Sequence, residues 1–120
     1  MTNEISILHP LVSETLERYG IAHEAIACDP GLADTTAFCE AYGFTAGETC
    51  NAIIAAGKAT PTKYACCVVL ANCKVDVNKK VCELLEVKKC SFASGDQTLE
   101  VSGMQIGGVT PVGLPDMPIY

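Results

Sequence analysis

The stretch of sequence best equipped for chemistry runs Gly107-Gly108-Val109-Thr110-Pro111-Val112-Gly113-Leu114-Pro115. Two adjacent glycines let a backbone come close to a ligand, because no Cβ stands between the main chain and its partner. Their N–H groups, turned inward, would form an oxyanion hole or a carbonyl clamp, with fixed donors placed where negative charge develops as a carbonyl is attacked. Pro111 stiffens the exit of such a loop. The same residues also describe an ordinary surface turn, and the pattern alone does not separate the two.

Nucleophilic and metal chemistry have less to work with. The two histidines, His9 and His23, lie outside any nucleophile motif, so a catalytic triad is not indicated. Eight cysteines would ordinarily point to a disulfide scaffold. Here, however, the chain is rich in Val, Ile, Leu and Ala and has no need of a staple. Cys66-Cys67 is a vicinal pair, and Cys28, Cys39, Cys50, Cys73, Cys82 and Cys90 are scattered through apolar segments with no Cys-x-x-Cys spacing. They read as reduced, buried, small hydrophobes. No Walker loop or dinucleotide fingerprint is present, since Gly103 to Gly108 opens no helix. No carboxylate spacing marks an acid/base pair, and no metal or organic cofactor is implied.

The elements that must position the loop can be read from caps and periodicity. Pro10 starts a helix with Leu11, Val12, Thr15, Leu16 and Tyr19 at helical spacing, closed by Gly20. Ile21 to Cys28 alternates loosely and predicts a strand, followed by the turn Asp29-Pro30-Gly31. Asp34 caps a short helix carrying Phe38, Cys39 and Tyr42, which ends at Gly43. Thr45-Ala-Gly-Glu48 matches a capping box. Ile53-Ile54 and Tyr64 to Leu70 predict two strands joined by the polar connection Gly57 to Thr62, a hairpin. Asp76 caps a helix with Val77, Val81, Leu84 and Leu85 on its apolar side. A short strand follows at Cys90 to Ala93, and Ser94 caps a last helix through Leu99, with Gly103 beyond its end. Beyond it, Gly107, Gly108, Pro111, Gly113, Pro115 and Pro118 give loop chemistry. The order is neither regular βαβ nor all-β, so the fold class is α+β: a mixed, curved central sheet flanked by helices.

A length of 120 residues fits one domain spanning 1–120, and an apolar content of 49% excludes a disordered chain. No apolar run reaches the roughly 18 residues of a membrane span. The N-terminus lacks a signal-peptide pattern, so the expected compartment is the reducing cytoplasm. The net charge of −6 argues against indiscriminate nucleic-acid binding. It is unevenly placed: residues 1–57 hold Arg18 against eight acids, whereas residues 58–120 hold seven lysines against six acids. Lys58, Lys63, Lys74, Lys79, Lys80, Lys88 and Lys89 would form a positive face, or simply a solvated one.

Gly107-x-x-x-Pro111 resembles the glycine-proline loop of the YbaK / prolyl-tRNA-synthetase-associated family. The likeness extends, in order, over nearly the whole chain. It includes His23 to Phe38 (HEAIACDPGLADTTAF), Asn51 to Ala56, Tyr64 to Leu70, Val75-Asp-Val-Asn-Lys-Lys, Ser91-Phe-Ala-Ser94 and Gly103. Family members hydrolyse wrongly charged aminoacyl-tRNAs, alone or attached to a synthetase. The resemblance implies that the amides of Gly107 and Gly108 hold the aminoacyl carbonyl near the terminal ribose. Thr110 and Pro111 would complete the substrate-binding loop. Thr35, with Phe38 on the same helix, would shape the amino-acid pocket; otherwise Thr35 caps its helix and Phe38 belongs to the core, the role preferred for Phe38. At the strand start, where many members carry a lysine, this chain has Asn51. It donates and accepts hydrogen bonds but cannot neutralise a phosphate. A branch of the family is similar in having Asn there together with a Cys-Asp-Pro turn. Lys58 or Lys63 would then supply the missing charge.

Two function classes stay open. The first is trans-editing hydrolysis of the ester between a small amino acid and its tRNA, with water or a ribose hydroxyl completing the reaction. Its partners would be the aminoacyl-tRNA 3′ end and an aminoacyl-tRNA synthetase. The second is a binding module without catalysis for the same aminoacylated end or an amino-acid derivative. A thiol redox protein ranks third, because only Lys74 beside Cys73 and Lys89 beside Cys90 offer basic partners. The resembled family continues past Tyr120 with a further strand, so an open sheet edge and a homodimer are expected.

Overall fold

The computed structural model describes residues 8–27, 29–32 and 34–120. It is α+β, with a three-stranded antiparallel sheet in the order β2-β1-β3 and four helices. β1 (Cys50–Gly57) and β2 (Lys63–Leu70) form the expected hairpin, in register from Cys50↔Leu70 to Gly57↔Lys63. β3 (Cys90–Phe92) lies antiparallel on the other side of β1, pairing Ala55 with Phe92.

Side chains alternate across the sheet, so its two faces carry different cores. On one face Ala55, Ala65 and Cys67 pack against Val81 and Leu85. Those two come from a π-helical turn, Val77–Val81, that runs into α3 (Cys82–Leu85). Asp76 does cap this segment, accepting from Lys79 N–H at 3.1 Å. The first turn is wider than the regular helix expected: Val81 N–H reaches back five residues to Asp76 C=O at 3.1 Å. On the other face Ile54, Cys66 and Ala93 are covered by Val101 of α4 (Gly95–Ser102) and by Val109, Leu114 and Met117 of the C-terminal loop. Burying a side chain such as Ile54, 1% exposed, contributes about 1.5–3 kcal/mol.

Local hydrogen bonds set the helix ends. In α2 (Thr35–Tyr42) Asp34 accepts from Ala37 N–H at 3.2 Å, and Gly43 closes the helix at φ 77°. Ser94 and Gln97 cap α4 reciprocally at 3.1 and 3.0 Å. α1 (Pro10–Arg18) is started by His9, whose Nδ1 accepts from Leu11 N–H at 3.1 Å. Its Nε2 therefore carries the proton and donates to Gly103 C=O at 2.8 Å, pinning α1 to the end of α4. Gly113, at φ 86°, lies so close to this helix that a Cβ would stand 2.5 Å from Leu11 O. The loop that follows α4 is thus seated directly on α1.

Two expectations need correcting. Residues 21–27 form no strand and are exposed, with Ile21 46% and Ile26 44% accessible; Cys28, the end of that expected strand, lies outside the described residues. A loose alternation makes a strand only where a neighbour completes the ladder, and none runs beside this segment among the described residues. The open sheet edge behind the dimer expectation is also occupied in part. Pro118 C=O accepts from Cys66 N–H at 2.9 Å, and Tyr120 exchanges bonds with Cys66 and Val68 at 2.9 and 2.8 Å. Ile119 thereby bridges Cys66 in parallel sense, beside an otherwise antiparallel sheet.

Candidate functional site

Thr35, Phe38, Thr49, Cys50, Asn51 and Gly107 line one cleft of about 260 Å³. Three separate pieces of chain build it. The cap at Asp34 places Thr35 in the first turn of α2, with Phe38 one turn on. The turn at Ala46–Glu48 delivers Thr49 and Cys50 to the start of β1. Here Glu48 folds back on Thr45, accepting from its N–H at 3.1 Å and its hydroxyl at 2.8 Å. The loop beyond α4 brings in Gly107.

The first two pieces are tied together by Thr35, which donates through Oγ1 to Asn51 Oδ1 at 2.8 Å. Asp34, not Thr35, caps the helix, which leaves the Thr35 hydroxyl free for this bond. With its oxygen occupied, Asn51 keeps its amide nitrogen, a donor, for the cleft. Phe38 forms the apolar wall. Its ring stacks on Phe44 at 5.6 Å and tilts against Tyr42 at 4.9 Å, which holds it half-buried beside the cleft.

The glycine pair divides its labour. Gly107, at φ 86°, has open space where a Cβ would point, and among the described residues its N–H has no partner. Gly108 N–H instead donates to Gln105 C=O at 2.9 Å. The expectation that both amides face a ligand is therefore corrected: one does not, because the turn itself consumes it. Thr110 accepts from Val112 N–H at 3.2 Å, closing a local turn, and neither Thr110 nor Pro111 lines the cleft.

The two lysines are also placed elsewhere. Asn51 is the second residue of β1 and Lys58 follows its end, a separation of seven residues or roughly 23 Å of strand. Lys63 pairs with Gly57 at that same far end, and its Nζ donates to Leu85 C=O at 3.1 Å, satisfying the end of α3. Neither can reach the cleft to stand in for a lysine at position 51. Sequence reasoning missed Thr49 and Cys50, and for Phe38 it preferred the core over the pocket wall where the cleft places it. The capping box at Thr45–Glu48 was the signal that could have located the first two, because it fixes where the strand starts.

Among the described cysteines Cys66, Cys67 and Cys82 are buried, Cys39 and Cys90 half-buried, and Cys50 and Cys73 exposed, all as free thiols. Burial, with Cys67 alongside, pushes the Cys66 thiol up to about 11. Burial also raises Cys67 and Cys90, reinforced by the neighbouring Cys90 and Cys82 respectively. Lys89 does not make Cys90 a thiolate, which removes one of the two footings of the redox reading.

Solved structures share this fold. The crystal structure of the hypothetical protein APE2540 superposes with a TM-score of 0.75 at 21% identity, covering 92% of this chain and 70% of the other. A proposed trans-editing enzyme for prolyl tRNA synthetase gives 0.74 at 22% identity, covering 94% and 72%. A scaffold protein used for computational epitope backbone grafting gives 0.75 at 20%, covering 94% and 72%. A comparison with curated proteins found no match. The aminoacyl-tRNA editing domain matches residues 29–120. That match runs from the turn before α2 through Thr35, Asn51 and Gly107, taking in every wall of the cleft, and the chain belongs to the aminoacyl-tRNA editing domain family.

Proposed function

We propose that this protein is a trans-editing deacylase that hydrolyses the ester between a small amino acid and the terminal ribose of a tRNA. The observation that carries the reading is the convergence of Thr35, Asn51 and Gly107, from three distant parts of the chain, on one cleft. Its volume of about 260 Å³ lies just below the usual range for small-molecule sites and suits an aminoacyl group. Gly107 N–H is the donor for the carbonyl oxygen. As water attacks the carbonyl carbon and that oxygen becomes negative, the bond to Gly107 strengthens, which is where a fixed donor accelerates the step. Asn51, held by Thr35, supplies a second donor through its amide nitrogen. The ester C–O bond then breaks, the ribose oxygen takes up a proton, and free amino acid and uncharged tRNA are released. Among the described residues the cleft lining has no carboxylate or imidazole, so this reading gives the proton relay from water to a ribose hydroxyl of the substrate.

That uncharged lining also favours a second reading, a module that binds the aminoacylated end without turning it over. Hydrolysis of a panel of mischarged tRNAs separates the two. Deacylation of at least one small-amino-acid substrate above the buffer rate, and its loss on N51A, supports the enzyme. Saturable binding of a non-hydrolysable 3′-amide analogue, with every ester cleaved at the buffer rate, replaces it by the module.

A further inference from the structure

The end of β1 away from the cleft carries a feature that the deacylation chemistry does not use. Residues 58–62 of the hairpin and residues 86–89 after α3 lie side by side, joined by Lys58 N–H donating to Lys89 C=O at 2.8 Å. Two adjoining grooves open there. One, of about 440 Å³, is lined by Gly57, Lys58, Thr62, Lys89, Ser91 and Gln97; the other, of about 460 Å³, by Lys58, Ala59, Glu86, Val87, Lys88 and Lys89. Lys58 and Lys89 form the wall between them. Lys58, Lys88 and Lys89 are exposed and make no ion pair among the described residues. Lys63 adds a fourth positive charge, held in place by Leu85 C=O. Glu86 is the acid that borders the second groove.

We propose that this lysine-walled end is a docking surface for the phosphate backbone of RNA, and that it takes the stem of the tRNA whose aminoacylated end enters the cleft; the second clause rests on the deacylase reading. Three features point to a polyanion. The protein as a whole carries −6, so unpaired lysines gathered at one end are an electrostatic exception that orients a negative partner. Two grooves either side of a shared lysine wall present charges in a row, which suits successive phosphates better than a single anion. Lysine ammonium groups act as point charges on flexible stems and bind a backbone without selecting geometry or sequence. Placement fits as well. Ala56 of the first groove and Val109, two residues beyond Gly107, lie on the same face of the sheet, the one covered by α4. The two sites are about 23 Å apart along β1, or six to seven stacked nucleotide steps at roughly 3.4 Å each.

The test is binding of an uncharged acceptor-stem RNA hairpin, followed by fluorescence anisotropy between about 50 and 200 mM salt. For the wild-type protein log K falls linearly with log salt. K88Q/K89Q is expected to weaken binding and to reduce that slope by about 2, roughly 1 for each phosphate that is no longer neutralised. E86Q, which removes the neighbouring acid, is expected to tighten binding roughly twofold, a gain that loss of folding cannot imitate. An unchanged slope in K88Q/K89Q, or no tightening by E86Q, overturns the RNA surface. Cleavage of aminoacyl-adenosine, which has no stem, is measured alongside with the wild-type protein. A slope change without cleavage of any ester supports the RNA surface and sinks the deacylase reading. Cleavage without a slope change does the reverse.

Discussion

At one end of β1, Asn51 meets Thr35 and Gly107 in a cleft that, among the described residues, is lined by no carboxylate, imidazole or ammonium group. At the other, Lys58, Lys88 and Lys89 line two open grooves, and Lys63 begins the neighbouring strand. The same strand supports both. The cleft end is assembled from three remote pieces of chain and held by specific contacts: the Thr35–Asn51 bond and the seating of Gly113 on α1. The lysine end is made of two loops joined by a backbone bond and needs no such fit. Chemistry on a carbonyl calls for donors fixed to within a fraction of an ångström, whereas attraction to phosphate tolerates mobile side chains. On the proposed reading, the difference in construction matches the difference in task.

The sharpest way to break this contrast is Gly113→Ala. The new methyl would meet the α1 backbone in a left-handed conformation, at a cost of about 2–5 kcal/mol. Gly107→Ala shares the left-handed φ but has open space, so it should cost only about 1–2 kcal/mol. Denaturant midpoints compare them, and equal losses would mean that the loop is not anchored through Gly113. Next comes Asn51→Ala, expected to slow deacylation about 10²–10³-fold in single-turnover assays. A smaller loss would demote Asn51 from donor to packing.

The sheet between the two ends provides a third measurement. Cys66 has its folded-state thiol raised from 9.0 to about 11, so between those values the unfolded chain binds fewer protons than the native one. Stability should therefore be full below pH 9 and fall by about 2–3 kcal/mol as pH rises towards 11. Chemical denaturation across that window reads the decline, and C66A should reduce it, leaving the part that the raised Cys67 and Cys90 thiols contribute. The smallest effect is expected at the lysine end. Lys63→Gln, by losing its bond to Leu85 C=O, should lower stability by about 0.3–1 kcal/mol in the same denaturation assay. A drop as large as that of G113A would mean that Lys63 is a keystone of the fold.

What the sequence by itself determined is local. Asp34, Ser94 and the Thr45–Glu48 pair fixed helix and turn starts, and Gly43 and Gly103 fixed ends, because a cap closes its hydrogen bonds within three or four residues. The continuous apolar run at Tyr64 to Leu70, with the polar connection before it, was enough to locate the hairpin. The motif Gly107-x-x-x-Pro111, with its neighbours in order, was enough to point to the family. Only the tertiary structure decided the rest, since each case depends on partners far apart in the chain. Ile21 to residue 27 has strand-like alternation but no neighbour to pair with among the described residues. The Gly108 amide looked free until the turn placed Gln105 C=O beneath it. The lysines at 58 and 63 follow Asn51 closely in sequence, yet an extended strand carries them roughly 23 Å away. Conversely, Thr35 and Asn51 are sixteen residues apart and share a hydrogen bond, because α2 and the turn at Ala46–Glu48 fold back on the start of β1.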